Sequence, residues 1–113
     1  MKMMSRARSP PDFDFNSYIE KRDYVGALAI IDFGEVELSP VDKLFWVGYC
    51  STRLGGRRNN NRAKEALLEL LSEKFQDEDV PQIAHLYLSI AYFQLGRYTD
   101  AEETALSVTQ DSE

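Results

Sequence analysis

With 113 residues, 43% of them apolar, the chain supports one domain with a core of its own. A formal net charge of −6 and a pI near 4.8 argue against a nucleic-acid binder that works through a broad basic surface. One cysteine, Cys50, excludes an internal disulfide framework and suits a reducing compartment.

Residues 1–11 carry Lys2, Arg6 and Arg8 with Pro10 and Pro11, and read as a flexible basic leader too polar to bury much. The apolar run of a secretory signal is missing there. No stretch approaches the roughly 20 apolar residues of a membrane span, so the expectation is a soluble intracellular protein. From Asp12 the aromatics Phe13, Phe15 and Tyr18 begin a short helix that ends near Arg22. Asp23 is then an N-cap for a second helix whose Tyr24, Ala27, Leu28 and Ile31 share an apolar face, with Gly34 as its stop.

Ser39-Pro40 opens the next helix, because serine caps and proline is preorganised at the first helical position. It carries Leu44, Phe45, Trp46, Val47, Tyr49, Cys50 and Leu54. Gly55 to Arg62, G-G-R-R-N-N-N-R, reads as an enlarged polar turn before a helix in which Ala66 holds the crossing position. An acidic link from Gln76 to Asp79 leads to Pro81.

Leu86 to Glu103 then spells helix, tight turn, helix. Leu88, Ala91, Tyr92 and Leu95 stand at helical spacing and Gly96 follows as a stop. Thr99-Asp-Ala-Glu102 has the form of a capping box. Small residues, Ser89 and Ala101, fall where the two helices would cross. Gly48 and Gly55 repeat the interval of Ser89 and Gly96, and Tyr24 and Ala27 that of Tyr98 and Ala101, with Arg22 in place of a turn glycine.

This pattern matches the tetratricopeptide repeat, a helical pair recurring at about 34 residues. The predicted fold is therefore all-α, a tetratricopeptide-type solenoid of about three antiparallel helix pairs, the first degenerate. It occupies residues 12–113, which lack an obvious polar C-terminal cap, so it is expected to be part of a longer solenoid.

Catalytic, cofactor and metal assignments are empty. Cys50 sits in an apolar helical pattern with no neighbouring His or Asp signature, and reads as a small core residue. His85, the only histidine, reads as a packing or capping residue. Gly55-Gly56 lacks a phosphate-loop lysine and follows a helix. Arg57, Arg58, Arg62 and Lys64 form a cluster that either holds an acidic peptide or phosphate or is simply a solvated loop.

Register taken from the glycines places Phe45, Tyr49, Leu86, Ile90 and Phe93 along an inner apolar groove. Repeats that grip a chaperone C-terminal carboxylate line this groove with Lys, Asn and Arg, which are missing at all five positions. The groove calls for a helix or apolar segment of a protein partner, or for a continuation of the same chain.

The start M-M-S-R-A, the stretch K-R-D-Y-V-G-A-L-A-I-I-D-F, the block W-V-G-Y-C and the run A-Y-F-Q-L-G-R-Y-T-D-A-E carry a more specific likeness. Across nearly its whole length the chain resembles the N-terminal region of the intraflagellar transport protein 56 family, also called the tetratricopeptide repeat protein 26 family. The resemblance implies a non-enzymatic subunit of the B complex that moves cargo along ciliary microtubules. It implies other B-complex subunits as partners, no nucleic acid or membrane insertion, and a place in the cytoplasm and the cilium, at its base and axoneme. Without the resemblance, the repeats describe a general cytosolic adaptor or co-chaperone-like binder.

Overall fold

The computed structural model describes residues 15–111, so the predicted leader at residues 1–11 and the predicted helix start at Asp12 and Phe13 lie outside the described residues. All regular structure among them is helical: α1 Phe15–Glu20, α2 Tyr24–Asp32, α3 Pro40–Leu54, α4 Arg57–Leu70, α5 Ile83–Gln94 and α6 Tyr98–Asp111, with a 3₁₀ turn at Glu73–Phe75. The chain divides into two compact units, Met1–Glu37 and Leu38–Glu113.

In the first unit, α1 packs on α2, and a Cβ at Gly26 would stand 2.8 Å from the Tyr18 ring. Asp23 caps α2 as expected, its carboxylate accepting from the Gly26 amide at 2.9 Å. The turn before it closes when Asp23 N–H donates to the Tyr18 carbonyl and Arg22 N–H to that of Ile19. The same pair of bonds ends α2 at Gly34 and α5 at Gly96. Such an ending needs one left-handed residue. Arg22 fills that place at φ 60°, the one non-glycine with positive φ among the described residues. An L-residue there costs about 1–2 kcal/mol relative to glycine.

The second unit contains two helical hairpins, α3–α4 and α5–α6, with further packing of α4 and α3 on α5. Ser39 caps α3 by accepting from the Asp42 amide at 3.1 Å, and Pro40 takes the first turn. The sequence expectation then fails in three places. The expected polar loop over Arg57–Arg62 is the first two turns of α4, and the true turn is Gly55-Gly56 alone. Asparagine is a modest helix former, but here Asn59 and Asn60 turn their amides back to the Gly55 and Gly56 carbonyls at 2.8 and 2.9 Å.

Second, Gly48, Gly55 and Asn60 stand 41 residues before Ser89, Gly96 and Ala101. Asn60, buried at 1% exposure, is therefore the counterpart of Ala101, and Ala66 is not. The surplus length lies after α4, in residues 71–82. There Ser72 accepts from the Lys74 amide at 3.3 Å, and Phe75 is buried against the core. Third, α6 starts at Tyr98, so Thr99 lies inside its first turn and not at a cap. Arg97 sets that end by pairing with Asp100 at 2.8 Å, while its carbonyl accepts from the Ala101 amide.

Leu67, Leu70, Ala84, Leu88, Ala91, Tyr92 and Ala101 form the centre of the core, joined by Val41, Ala63 and Phe75. The predicted close approaches at Gly48 and Ser89 are present. A Cβ on Gly48 would sit 2.5 Å from the Leu67 side chain, and Ser89 Oγ donates to the Ala101 carbonyl at 2.8 Å. Ser51 Oγ and Asn60 Oδ1 are buried without a hydrogen-bond partner in the chain. An orphaned buried polar atom costs about 1–3 kcal/mol. Ser51→Ala, which deletes one such atom with little loss of volume, is expected to raise stability by about 1 kcal/mol in urea unfolding; a loss would mean that the hydroxyl is satisfied by water.

Candidate docking surface

Helix α5 is apolar on two opposite sides. Ala84, Leu88, Ala91 and Tyr92 face the core. At about 100° per residue, Ile83, Leu86, Ile90 and Phe93 fall on the opposite side, centred roughly 180° away. That second stripe is open: Leu86 is 44% exposed, Phe93 62% and Ile83 44%. A helix apolar all round normally lies inside a larger packed body.

The five residues predicted for the groove are distributed over two neighbouring places that share α5. Phe45 and Tyr49, one turn apart on α3, stack with ring centroids 6.4 Å apart. Tyr87 of α5 meets both edge-on, at 6.1 and 5.1 Å. Trp46 closes the cluster against Phe45 and Tyr49. Arg53 lies over the Tyr49 ring at 5.1 Å, and its pKa is raised, first by a hydrogen bond with Tyr49. Tyr87 is not legible from the sequence as a site residue because helical spacing within α5 does not show which α3 rings it meets, whereas Trp46 joins through neighbours on its own helix.

Ile90 and Phe93 instead line a trough between α5 and α6 with Ser89, Tyr98, Ala101, Glu102 and Ala105. Its volume is about 630 Å³. Phe93 and Tyr98 stand edge to face at 5.2 Å. Leu86 continues the α5 stripe one turn before Ile90.

The basic quartet does not make one face. On α4, Arg57 and Lys64 share one side and Arg58 and Arg62 another, roughly 100–160° round the helix. Arg57 and Arg58 are exposed at its first turn, and Arg62 and Lys64 are half-buried. Arg62 acts electrostatically on Cys50.

Cys50 is fully buried. Burial pushes its thiol up from 9.0 to about 12, against a smaller lowering by Arg62. The native state thus keeps this proton to about pH 12, whereas the unfolded chain releases it above 9. Stability should be untouched by Cys50 below pH 9 and should fall as the pH rises from 9 toward 12, with that portion of the slope removed in Cys50→Ala. Urea titrations across this range check it. A thiolate is the reactive form, so a thiol reagent at neutral pH should label Cys50 only on unfolding. His85 is half-buried at the start of α5, its Nδ1 3.3 Å from the Gln82 carbonyl.

Among the described residues no His, Cys, Asp and Glu cluster could hold a metal ion, and no helix is long and apolar enough to cross a membrane. Exposed apolar and aromatic side chains on α5 and α6, Leu86, Phe93 and Tyr98 among them, are what the described surface offers. Neither a protein-family model nor a solved structure matches the chain.

Proposed function

We propose that this chain is a non-enzymatic protein-binding scaffold of the tetratricopeptide type, acting as a subunit of the intraflagellar transport B complex in cytoplasm and cilium. The observation that carries the binding role is α5: its outer stripe leaves Ile83, Leu86 and Phe93 exposed and Ile90 half-buried, although the helix is already apolar toward the core. Covering such a patch is favourable at about 25 cal/mol per Å² of apolar surface, and monomeric proteins seldom leave one open without use. Two successive hairpins with matching positions at Gly48 and Ser89, and at Gly55 and Gly96, support the repeat reading. The transport assignment rests on the blocks K-R-D-Y and W-V-G-Y-C.

A tagged full chain expressed in ciliated cells tests both levels. Recovery of transport B subunits on affinity purification, with signal at the ciliary base and axoneme, is the expected result. Recovery of cytosolic chaperones with a diffuse signal would instead make it a general adaptor. A purified activity abolished by changing Cys50 or His85 would overturn the scaffold reading.

A further inference from the structure

We propose that the α5–α6 trough receives an amphipathic helix of a partner protein that carries lysine or arginine beside its apolar stripe. The proposal rests on the scaffold reading and names the chemistry of what one part of that surface binds.

Shape comes first. Ser89, Ala101 and Ala105 make a floor of small side chains, while Ile90, Phe93 and Tyr98 rise around it. The Ser89 hydroxyl is spent inside the fold on the Ala101 carbonyl. Phe93 and Tyr98 are each 62% exposed, so the walls bound an open trough. A small ligand needs about 70–90% of its surface buried, which walls so open do not provide. A helix laid lengthwise needs only pockets for its i, i+4 and i+7 side chains.

Charge then selects the helix. The sequence of α6, Tyr98–Asp111, contains Asp100, Glu102, Glu103 and Asp111 and neither Lys nor Arg. Asp100 is already paired with Arg97. Glu102 lines the trough and has no ion-pair partner among the described residues. Docking an apolar helix would strip water from this carboxylate, which is costly unless a cation replaces it. A second copy of the chain docked through α6 would set one acidic helix on another, which like-charge repulsion opposes.

The test uses the purified full chain and a fluorescent synthetic peptide of about five helical turns, with leucines on one face and lysines flanking them. Anisotropy should show saturable binding. Glu102→Lys should weaken it about tenfold or more, and the same peptide with glutamate in place of lysine should then prefer the variant. Glu73→Lys makes an equal change of net charge at an exposed residue outside the trough and should shift affinity less than about twofold. Equal weakening by the two variants would mean bulk attraction to an acidic protein and would overturn the proposal, as would no saturable binding. Sedimentation of the chain alone, showing a dimer that Phe93→Ala dissolves, would assign the trough to a second copy instead. If transport subunits still co-purify with Glu102→Lys at full yield while the peptide result fails, the trough proposal falls and the scaffold reading stands.

Discussion

Gly48→Ala should destabilise the protein while Leu67 is present and stabilise it once Leu67 is replaced by alanine. In α3 an alanine is better than glycine by roughly 0.8–1.0 kcal/mol on helix propensity alone. Against that, the new Cβ would meet the Leu67 Cγ and Cδ2 atoms at 2.5 Å, so Leu67, fully buried at 0% exposure, would have to shift within the core. Overpacking costs about 1–3 kcal/mol and outweighs the propensity gain. Leu67→Ala alone should cost about 2–5 kcal/mol through lost burial and a cavity, at about 4–8 °C of thermal midpoint per kcal/mol. In the double variant the clash is gone and the propensity gain remains. Thermal melts of the four proteins give the coupling directly. An effect of Gly48→Ala with the same sign in both backgrounds would mean that α3 and α4 do not meet at these residues.

Leu86→Ala combined with Phe93→Ala should weaken assembly with the partner by about 2 kcal/mol or more, roughly 30-fold in affinity, while leaving the fold intact. Both side chains project from the outer stripe of α5, 44% and 62% exposed, and neither belongs to the core cluster. Alanine is also the better helix former at each position. Circular dichroism should therefore be unchanged, and co-purification of the complex should drop. Full yield from the double variant would remove the outer face of α5 from the binding surface. Because Phe45 sits in the aromatic cluster with Tyr87, changing it would disturb α3–α5 packing as well, so it is a poorer probe of docking.

Features read from local chemistry agree with the structure where a short-range bond decides them. Asp23 and Ser39 cap their helices, Gly55 and Gly96 turn the chain, and even Arg22 takes the left-handed place that its alignment with the turn glycines implied. The failures share a cause in competition between local signals. Thr99 fits a capping box, but Arg97 pairs with Asp100 and the helix begins before it. The Asn-rich run looks like a loop by composition, yet its amides satisfy the Gly55 and Gly56 carbonyls and Asn60 packs inside. Burial of an asparagine leaves no hydrophobic signature to find. Of the candidate site, the stripe Leu86, Ile90, Phe93 is legible because helical spacing puts the three on one side of α5 and the glycine register sets which side. Tyr87, Tyr98 and Glu102 are not, since their roles come from which helix lies beside which.

The link between the two hairpins is pinned at Phe75, which is buried, and at Val80, which packs on the core, whereas Gln76, Asp77, Glu78 and Asp79 between them are exposed. Core residues come from both sides of this stretch, Leu67 and Leu70 before it and Ala84, Leu88 and Ala91 after it. The side chains of residues 76–79 therefore contribute nothing to the core that joins the hairpins, and the link acts by holding the two halves at high effective concentration. This makes the segment the natural point at which to insert a foreign sequence, or to split the chain into two complementing fragments, without touching either apolar surface.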